Sequence, residues 1–338
     1  MILRRKRILY GLSGNVLTQV VNVITQFVGI PIFLIHWGVQ YYGEWLILFT
    51  IPNYIALCDF GMGVSATAEM SILKEQGKFE EIQGVLRSTF WIVIILGAIP
   101  CLMLMLSIWL VPWYGLLNLM EISPGEFRMA FLLLIVYVFL SLALSVPVGY
   151  YRVEKEYHRE RFISALFRVL EFVGLIIIVI IGKGIVAAAL TYLIVRIGYL
   201  LFVLIDLTIR YTDFKLSPVE ISTGRIKHLI RPSFAVMKIL IGQTILVQGV
   251  TTAIGIGLGP VQVVVFNTIR TLLNTSKQAV NLINMSLVSE FSYAYGAGQS
   301  ALLNKLFVRC QQLNVSMSFI LLTILLLDPG QEEHLLMQ

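Results

Sequence analysis

The chain has 338 residues, of which 58% are hydrophobic and 13% charged, and its formal net charge is +6. Soluble domains contain about 45–50% apolar and about 25% charged residues, so this composition, with a mean hydropathy of +0.86, excludes an ordinary soluble protein. It predicts an all-α, polytopic membrane protein, because long apolar segments satisfy their backbone hydrogen bonds in hydrocarbon as helices.

Apolar runs long enough to cross about 30 Å of hydrocarbon recur along the chain. They predict about nine membrane helices, at about 9–35, 42–66, 88–112, 128–151, 162–182, 184–206, 233–256, 261–286 and 310–327. The first run carries Asn15 and Gln19 among other polar residues and is too long for the apolar core of a signal peptide. We therefore expect it to stay as a membrane helix.

The basic residues indicate the orientation of these helices. Lys and Arg are concentrated in the N-terminal segment Arg4 to Arg7 and in the loops after the second, fourth, sixth and eighth predicted helices. By the positive-inside rule, the N-terminus and these loops are cytoplasmic. Topology and anionic lipid headgroups then account for the net positive charge, and no nucleic-acid partner is expected.

Internal similarity suggests a duplicated architecture. A shift of about 221 residues pairs Gln40 with Gln262 and Glu69 with Glu290, which is typical of transporters with two parallel lobes. The predicted domains are a six-helix lobe at 1–210, a cytoplasmic linker at 211–232 and a partial second lobe of about three helices at 233–338. A complete second lobe would need six helices, so we expect this chain to lack the last part of the fold.

Polar residues form two stripes inside otherwise apolar helices. In the eighth helix, residues at offsets of three and four share one face: Asn267, Arg270, Thr271, Asn274, Lys277, Gln278 and Asn281. The first helix carries a similar face that includes Asn22 and Gln26. Such groups are costly against lipid and predict a central cavity. The alternatives are hydrogen bonds between helices and, for the cations, snorkelling or pairing with a carboxylate such as Asp59 or Glu171.

Charge indicates what this cavity binds. Intramembrane cations outnumber the two carboxylates that fall well inside predicted helices, Asp59 and Glu171. Arg and Lys suit phosphate oxygens, so an anionic group such as a pyrophosphate is expected, with amide side chains beside it for sugar hydroxyls. The predicted substrate residues are Arg270, Lys277, Asn267, Asn274, Lys238, Asn22, Gln26 and Arg196. Asp59 and Glu171 are predicted to act in gating or ion coupling.

Three short motifs point to a family. Gly43-Glu44-Trp45, the string Asp59-Phe60-Gly61-Met62-Gly63 and the basic loop before Arg87-Ser88 together resemble polysaccharide-repeat, O-antigen type flippases similar to Wzx. These belong to the multidrug/oligosaccharidyl-lipid/polysaccharide exporter superfamily. The resemblance covers about residues 8–325, and only Asp59, Gly61 and Gly63 match the family string residue by residue.

The resemblance implies a two-lobed fold and transport by alternating access. The implied substrate is an undecaprenyl-pyrophosphate-linked oligosaccharide, a repeat unit of O-antigen, capsule or exopolysaccharide, and the implied location is the bacterial cytoplasmic (inner) membrane. Membrane lipids, a polysaccharide polymerase and glycosyltransferases are the corresponding partners.

Other functional classes fit the sequence less well. It contains neither His-Glu-x-x-His nor Gly-x-x-x-x-Gly-Lys, and its three cysteines, Cys58, Cys101 and Cys310, show no metal or disulfide spacing. We therefore expect no enzyme activity, cofactor or metal. Two alternatives stay open, namely a cation-coupled antiporter for small organic cations within the same superfamily and a non-transporting scaffold of a polysaccharide synthesis complex.

Overall fold

The computed structural model describes residues 2–217, 237–238, 241–271, 273–274, 304, 307–312, 314–316 and 319, with the backbone alone for residues 2–20, 22 and 26. Within these residues the chain is helical apart from short turns, and no strand occurs, which confirms the all-α prediction. The chain forms two compact units, Ile24–Asn267 and Met1–Val23 with Thr268–Gln338.

The helices follow the hydropathy pattern closely. Their bounds are α1 Ile2–Asn53, a 3-10 helix Tyr54–Asp59, α2 Met62–Glu75, α3 Phe79–Leu110, α4 Trp113–Leu116, α5 Pro124–Val153, α6 Tyr157–Ile180, α7 Ile185–Arg210 and α8 Ile241–Gly257. Residues 260–271, 273–274, 307–312 and 314–316 are also helical. The third to sixth predicted membrane helices correspond to α3, α5, α6 and α7, and described parts of the last three predicted helices are helical as well.

The first two predicted membrane helices, at 9–35 and 42–66, correspond to α1, the 3-10 helix and the start of α2. A straight helix of 52 residues would be about 78 Å long, more than twice the thickness of the hydrocarbon core. The chain turns at Gly38, which has φ 73° and ψ 170° inside the helix. Phe33 and Tyr42 stack with ring centroids 4.9 Å apart, although a straight helix would separate them by about 13 Å. The short predicted loop between these two spans is therefore a turn centred on one glycine.

A second interruption follows Asp59. Phe60 has φ 48° and Gly61 has φ 70°, a left-handed conformation that glycine adopts readily and most other residues avoid. The helix resumes at Met62 and continues to Glu75. The string Asp59-Phe60-Gly61-Met62-Gly63 thus forms a break between two helices.

Helix α5 forms the centre of this unit. In its most apolar 18-residue stretch 56% of the residues are buried, against 22% for α3, α6 and α7, so those three helices bury a much smaller share of their apolar residues. Ser123 and Glu126 form a capping box at the start of α5, with Pro124 in the first turn. Gly149 of α5 lies against Thr67 of α2, where an added Cβ would be 2.1 Å from Thr67 Oγ1. The absence of a side chain on Gly149 is what permits this contact.

Charged residues at the predicted cytoplasmic ends form ion pairs. Arg159 pairs with Asp206 at 2.5 Å, and Lys155 pairs with Glu75 at 2.6 Å. The second pair is exposed, and such pairs contribute little stability. The first joins α6 to α7, and the second joins the end of α2 to the turn between α5 and α6.

The start of the predicted linker is bound to the first six-helix region. Arg87 donates to the carbonyl of Lys215 at 3.2 Å, and Trp91 donates to the carbonyl of Leu216 at 3.1 Å. Residues 218–232 of the linker lie outside the described part. The division into lobes at 1–210, 211–232 and 233–338 stays a prediction.

Candidate functional site

A buried ion pair joins α6 and α7 in the interior of the bundle. Arg196 Nη2 lies 2.8 Å from Glu171 Oε1, and it also donates to the hydroxyl of Tyr137 on α5 at 2.5 Å. The side chains of Arg196 and Glu171 are only 17% and 11% exposed. The guanidinium carbon of Arg196 is 4.5 Å from the Tyr137 ring centroid, close enough for a cation–π contact. Three helices thus converge on one cation.

Aromatic rings surround this pair on the side of α1. Tyr192 lies 5.3 Å from Tyr137, and Phe49 lies 5.4 Å from Tyr192, both measured between ring centroids. Trp45 extends the cluster toward Phe49 at 5.7 Å. The pair itself is largely buried, and in such a setting a paired cation and carboxylate are far less costly than either charge alone.

The pairing bears on two predicted site residues. The sequence predicts that Arg196 binds substrate and that Glu171 acts in gating or ion coupling, and the structure brings them together as direct partners. Pairing with a carboxylate such as Glu171 is the alternative named above for the cations of the eighth helix. Both assigned roles stay predictions.

Asp59 lies at the helix break and contacts the start of α2. Its Oδ1 accepts a hydrogen bond from the amide of Gly63 at 3.1 Å, which satisfies one of the amides that a helix start leaves without a partner. A Cβ added to Gly63 would lie 3.2 Å from Ser145 of α5. The string therefore makes a compact helix connection against α5, and a gating role for Asp59 stays a prediction.

The other predicted substrate residues are distributed along the second half of the chain. Lys238 is exposed and Asn267 is partly buried in the first unit, whereas Arg270 and Asn274 are partly buried residues of the second unit. Lys277 and the side chains of Asn22 and Gln26 lie outside the described residues. A common cavity for this set stays a prediction.

Helix α8 corresponds to the seventh predicted membrane helix. It contains a π-helical turn at Ile245–Gly249, a feature that often occurs at functional sites. Just after this turn, Thr252 Oγ1 lies 3.2 Å from the hydroxyl of Tyr54. Helix α8 thus meets the start of the 3-10 helix through a direct hydrogen bond.

Glu44 is a functional candidate that pattern analysis did not assign. It is completely buried, and its carboxylate accepts hydrogen bonds from the amides of Met120, Glu121 and Ile122 at 2.7, 2.9 and 2.9 Å. Gln40 donates a fourth at 3.1 Å. A lone carboxylate between Gly43 and Trp45 in apolar sequence was the available signal, because such a group needs several donors when buried.

The fold is similar to solved structures of transporters. The MATE multidrug transporter DinF-BH, solved as a complex with a small molecule, superposes with a TM-score of 0.68 at 12% identity, over 99% of this chain and 74% of that one. An inward-facing multidrug resistance MATE family transporter of the MOP superfamily superposes with a TM-score of 0.64 at 16% identity. The match covers 94% of this chain and 74% of that transporter. A MOP superfamily transporter from Pyrococcus furiosus superposes with a TM-score of 0.57 at 17% identity, over 97% of this chain and 72% of that one. Its binding pocket is described as having reverse polarity that suggests a different function.

These similarities define the class of fold. The chain is a multi-pass helical protein with the fold of the MATE transporters of the MOP superfamily, and identities of this size show the fold alone. No protein-family model matches the chain, and no curated protein matches it in sequence.

Proposed function

We propose that this protein is a membrane transporter, not an enzyme, and that it works by alternating access. Its proposed substrate is a polyprenyl-pyrophosphate-linked oligosaccharide that it moves across the bacterial cytoplasmic membrane, with its own N-terminus in the cytoplasm. The fold supports the transporter class, and the charge of the intramembrane residues supports the anionic substrate.

The ion pair between Glu171 and Arg196 carries the choice of substrate. An antiporter for organic cations needs a carboxylate available to the cation. Glu171 is balanced by Arg196 at 2.8 Å, and Asp59 already accepts a hydrogen bond from Gly63. Of the two carboxylates predicted inside the membrane, Glu171 is thus balanced by a cation, and Asp59 accepts from the start of α2.

The proposed headgroup site is the stripe of the eighth predicted helix. Arg270 offers a planar fork that matches phosphate oxygens, and Lys277 adds a mobile point charge. Asn267 and Asn274 on the same face would bind sugar hydroxyls. Lys238, Asn22 and Gln26 complete the proposed cavity, and Arg196 would join it only by exchanging Glu171 for the substrate.

The comparison with transporters of this fold leaves more than one substrate class open. DinF-BH is described as a multidrug transporter, which supports a cation-coupled antiporter as the second candidate. The Pyrococcus furiosus transporter is described by a reverse polarity of its binding pocket that suggests a different function. The fold alone therefore does not select a substrate, and the proposal rests on the residues of this chain.

Reconstitution into lipid vesicles tests the proposal. A fluorescent polyprenyl-pyrophosphate oligosaccharide would be placed in the inner leaflet, and its appearance outside would be followed by an added glycosidase. We expect faster exposure than in protein-free vesicles and no uptake of a cationic rhodamine dye driven by a proton or sodium gradient. Gradient-driven dye uptake without glycan exposure would establish the antiporter. If neither compound moves, the scaffold function accounts best for the protein. A scaffold should co-purify with a polysaccharide polymerase or glycosyltransferases.

A further inference from the structure

Two segments that are distant in sequence meet along a narrow seam. One is residues 43–54, the second half of α1 with the first residue of the 3-10 helix, and the other is residues 252–260, the end of α8 with the following turn. We call their contact the outer seam. Both segments belong to the same compact unit, and by the predicted topology Gly43 and Pro260 lie at the outer ends of their membrane helices.

The outer seam is closed by direct backbone approach. A Cβ added to Gly43 would lie 2.3 Å from the carbonyl oxygen of Pro260, and one added to Gly255 would lie 3.0 Å from Ile47. Gly43, Ile47, Gly255 and Pro260 are all buried. Any side chain larger than hydrogen at position 43 would force the two segments apart, because its neighbour is main chain and has no rotamer by which to move away.

The contacts follow an antiparallel order. Gly43 meets Pro260 and Ile47 meets Gly255, and the Tyr54 hydroxyl lies 3.2 Å from Thr252 Oγ1. From position 43 to position 54 the seam extends about 16 Å along the helix axis. It therefore closes the unit from the predicted outer surface to about the middle of the membrane.

A side-chain hydrogen bond fixes the outer end of the seam. Asn118 donates to the carbonyl of Ile256 at 2.9 Å, which is one of the last four carbonyls of α8 and has no partner within its own helix. The loop that carries Asn118 is held by Glu44 through the amides of Met120, Glu121 and Ile122. Glu44 therefore positions Asn118 as a cap on α8.

We propose that the outer seam is the outer gate of this transporter, closed in this structure, and that it must part for substrate to reach the outer side. This inference rests on the proposed transport function and on the predicted orientation. The interactions that close the seam are van der Waals contacts of glycines and two hydrogen bonds between neutral groups. Among the residues that the structure describes, no ion pair crosses it, so the seam can open without separating buried charges.

A glycine substitution with a matched control tests the gate. In a protein whose native cysteines are replaced by serine, Ile47→Cys places a thiol at a completely buried position of the seam, where the native side chain faces Gly255. Gly43→Ala should wedge the seam open and raise the rate at which a membrane-impermeant maleimide labels this thiol in intact cells by about tenfold. Gly257→Ala, where nothing lies within 4 Å of an added Cβ, should leave the rate unchanged. Equal labelling in both variants would overturn the proposal.

The same assay contains a control for orientation. Glu121→Cys lies in the exposed outer loop and should be labelled from outside whatever the state of the seam. If this thiol is reached only after the membrane is made permeable, then the seam faces the cytoplasm and the gate cannot be the outer one. Normal labelling of Glu121→Cys with no effect of Gly43→Ala would overturn the gate and leave the orientation intact.

A disulfide across the seam gives a second test that does not depend on tolerance of Gly43→Ala. Cβ atoms about 3.5–4.5 Å apart can be bridged, and an added Cβ at Gly255 contacts Ile47 directly. Ile47→Cys combined with Gly255→Cys should form a disulfide that stops glycan exposure, and a reductant should restore it. Ile47→Cys alone, which adds no bulk to the seam, should transport normally in oxidant. An unchanged rate in the cross-linked protein, or failure of the disulfide to form, would contradict the gate. Absence of transport in the uncross-linked protein would instead count against the proposed function, and the labelling assay would still decide the gate.

Discussion

The carboxylate of Glu171 and the guanidinium of Arg196 lie 2.8 Å apart in the interior of the bundle. Removing one partner of such a pair leaves an uncompensated charge in a water-poor site, which typically costs about 3–5 kcal/mol, whereas removing both costs much less. We therefore predict that Arg196→Gln strongly lowers the thermal unfolding temperature of the purified protein. Arg196→Gln combined with Glu171→Gln should recover most of this loss.

Tyr137→Phe is the matched control for these substitutions of Arg196 and Glu171. It removes the hydroxyl that accepts from Arg196 and keeps the ring, so it should cost about 1.5–3 kcal/mol, as for one hydrogen bond to a charged group. If the double variant is as unstable as the sum of both single variants, the two charges do not stabilise each other and the paired description of this site is wrong.

The buried Glu44 carboxylate is predicted to hold the loop after α4. Glu44→Ala would leave the amides of Met120, Glu121 and Ile122 without their acceptor, at about 1–3 kcal/mol for each buried group left unsatisfied. We expect a lower unfolding temperature and faster cleavage of this loop by an added protease. Glu121→Ala changes an exposed carboxylate in the same loop and should alter neither measurement. Equal protease resistance in the two variants would contradict the anchoring role.

The contact between α2 and α5 can be tested with one substitution that disrupts it and a second that relieves the disruption. Gly149→Ala would place a Cβ 2.1 Å from Thr67 Oγ1, and overpacking of this kind typically costs about 1–3 kcal/mol. Thr67→Ala removes that oxygen, so the double variant should be more stable in a thermal unfolding assay than Gly149→Ala alone. Gly125→Ala in the same helix meets nothing within 4 Å and should have no effect. A double variant no better than Gly149→Ala would show that the contact is not what limits this position.

Much of the fold could be predicted from hydropathy because the bilayer sets the length of each crossing. The predicted span at 128–151 falls inside α5, and the span at 184–206 matches α7 to within one residue at its start and four at its end. The sequence also marked the turn near Gly38. The sequence did not reveal that the helix stops after Asp59 and resumes at Met62. The left-handed backbone of Phe60 at this break depends on tertiary packing, which a local pattern does not contain.

The site was less accessible to sequence analysis. The partners Glu171 and Arg196 are 25 positions apart on different helices, and a periodic pattern gives the face of a helix but not its neighbour. The hydrogen bonds of Glu44 reach residues 76 to 78 positions away. The stripes of polar residues were visible because they repeat at helical spacing, whereas single buried carboxylates leave no periodic signal.

The final prediction concerns Arg270, a partly buried residue of the second unit and the proposed pyrophosphate ligand. Loss of a hydrogen bond to a charged group costs about 1.5–3 kcal/mol, which corresponds to a loss of binding of about ten- to a hundredfold. Arg270→Ala should therefore nearly abolish exposure of the fluorescent glycan in the vesicle assay. Arg270→Lys should retain part of it, because lysine keeps the charge and loses the bidentate fork.

Lys183→Ala is the control for a general effect of removing a cation, since this exposed residue lies in the turn between α6 and α7 and contributes its backbone carbonyl to Trp37. Its variant should transport normally. All variants would be compared at equal amounts of reconstituted protein, so that a change in insertion is not read as a change in transport. A normal rate in Arg270→Ala would remove the anionic headgroup from the mechanism, because the proposed pyrophosphate ligand cannot be lost without weaker binding of the substrate. The antiporter or scaffold functions would then account better for the cationic stripe.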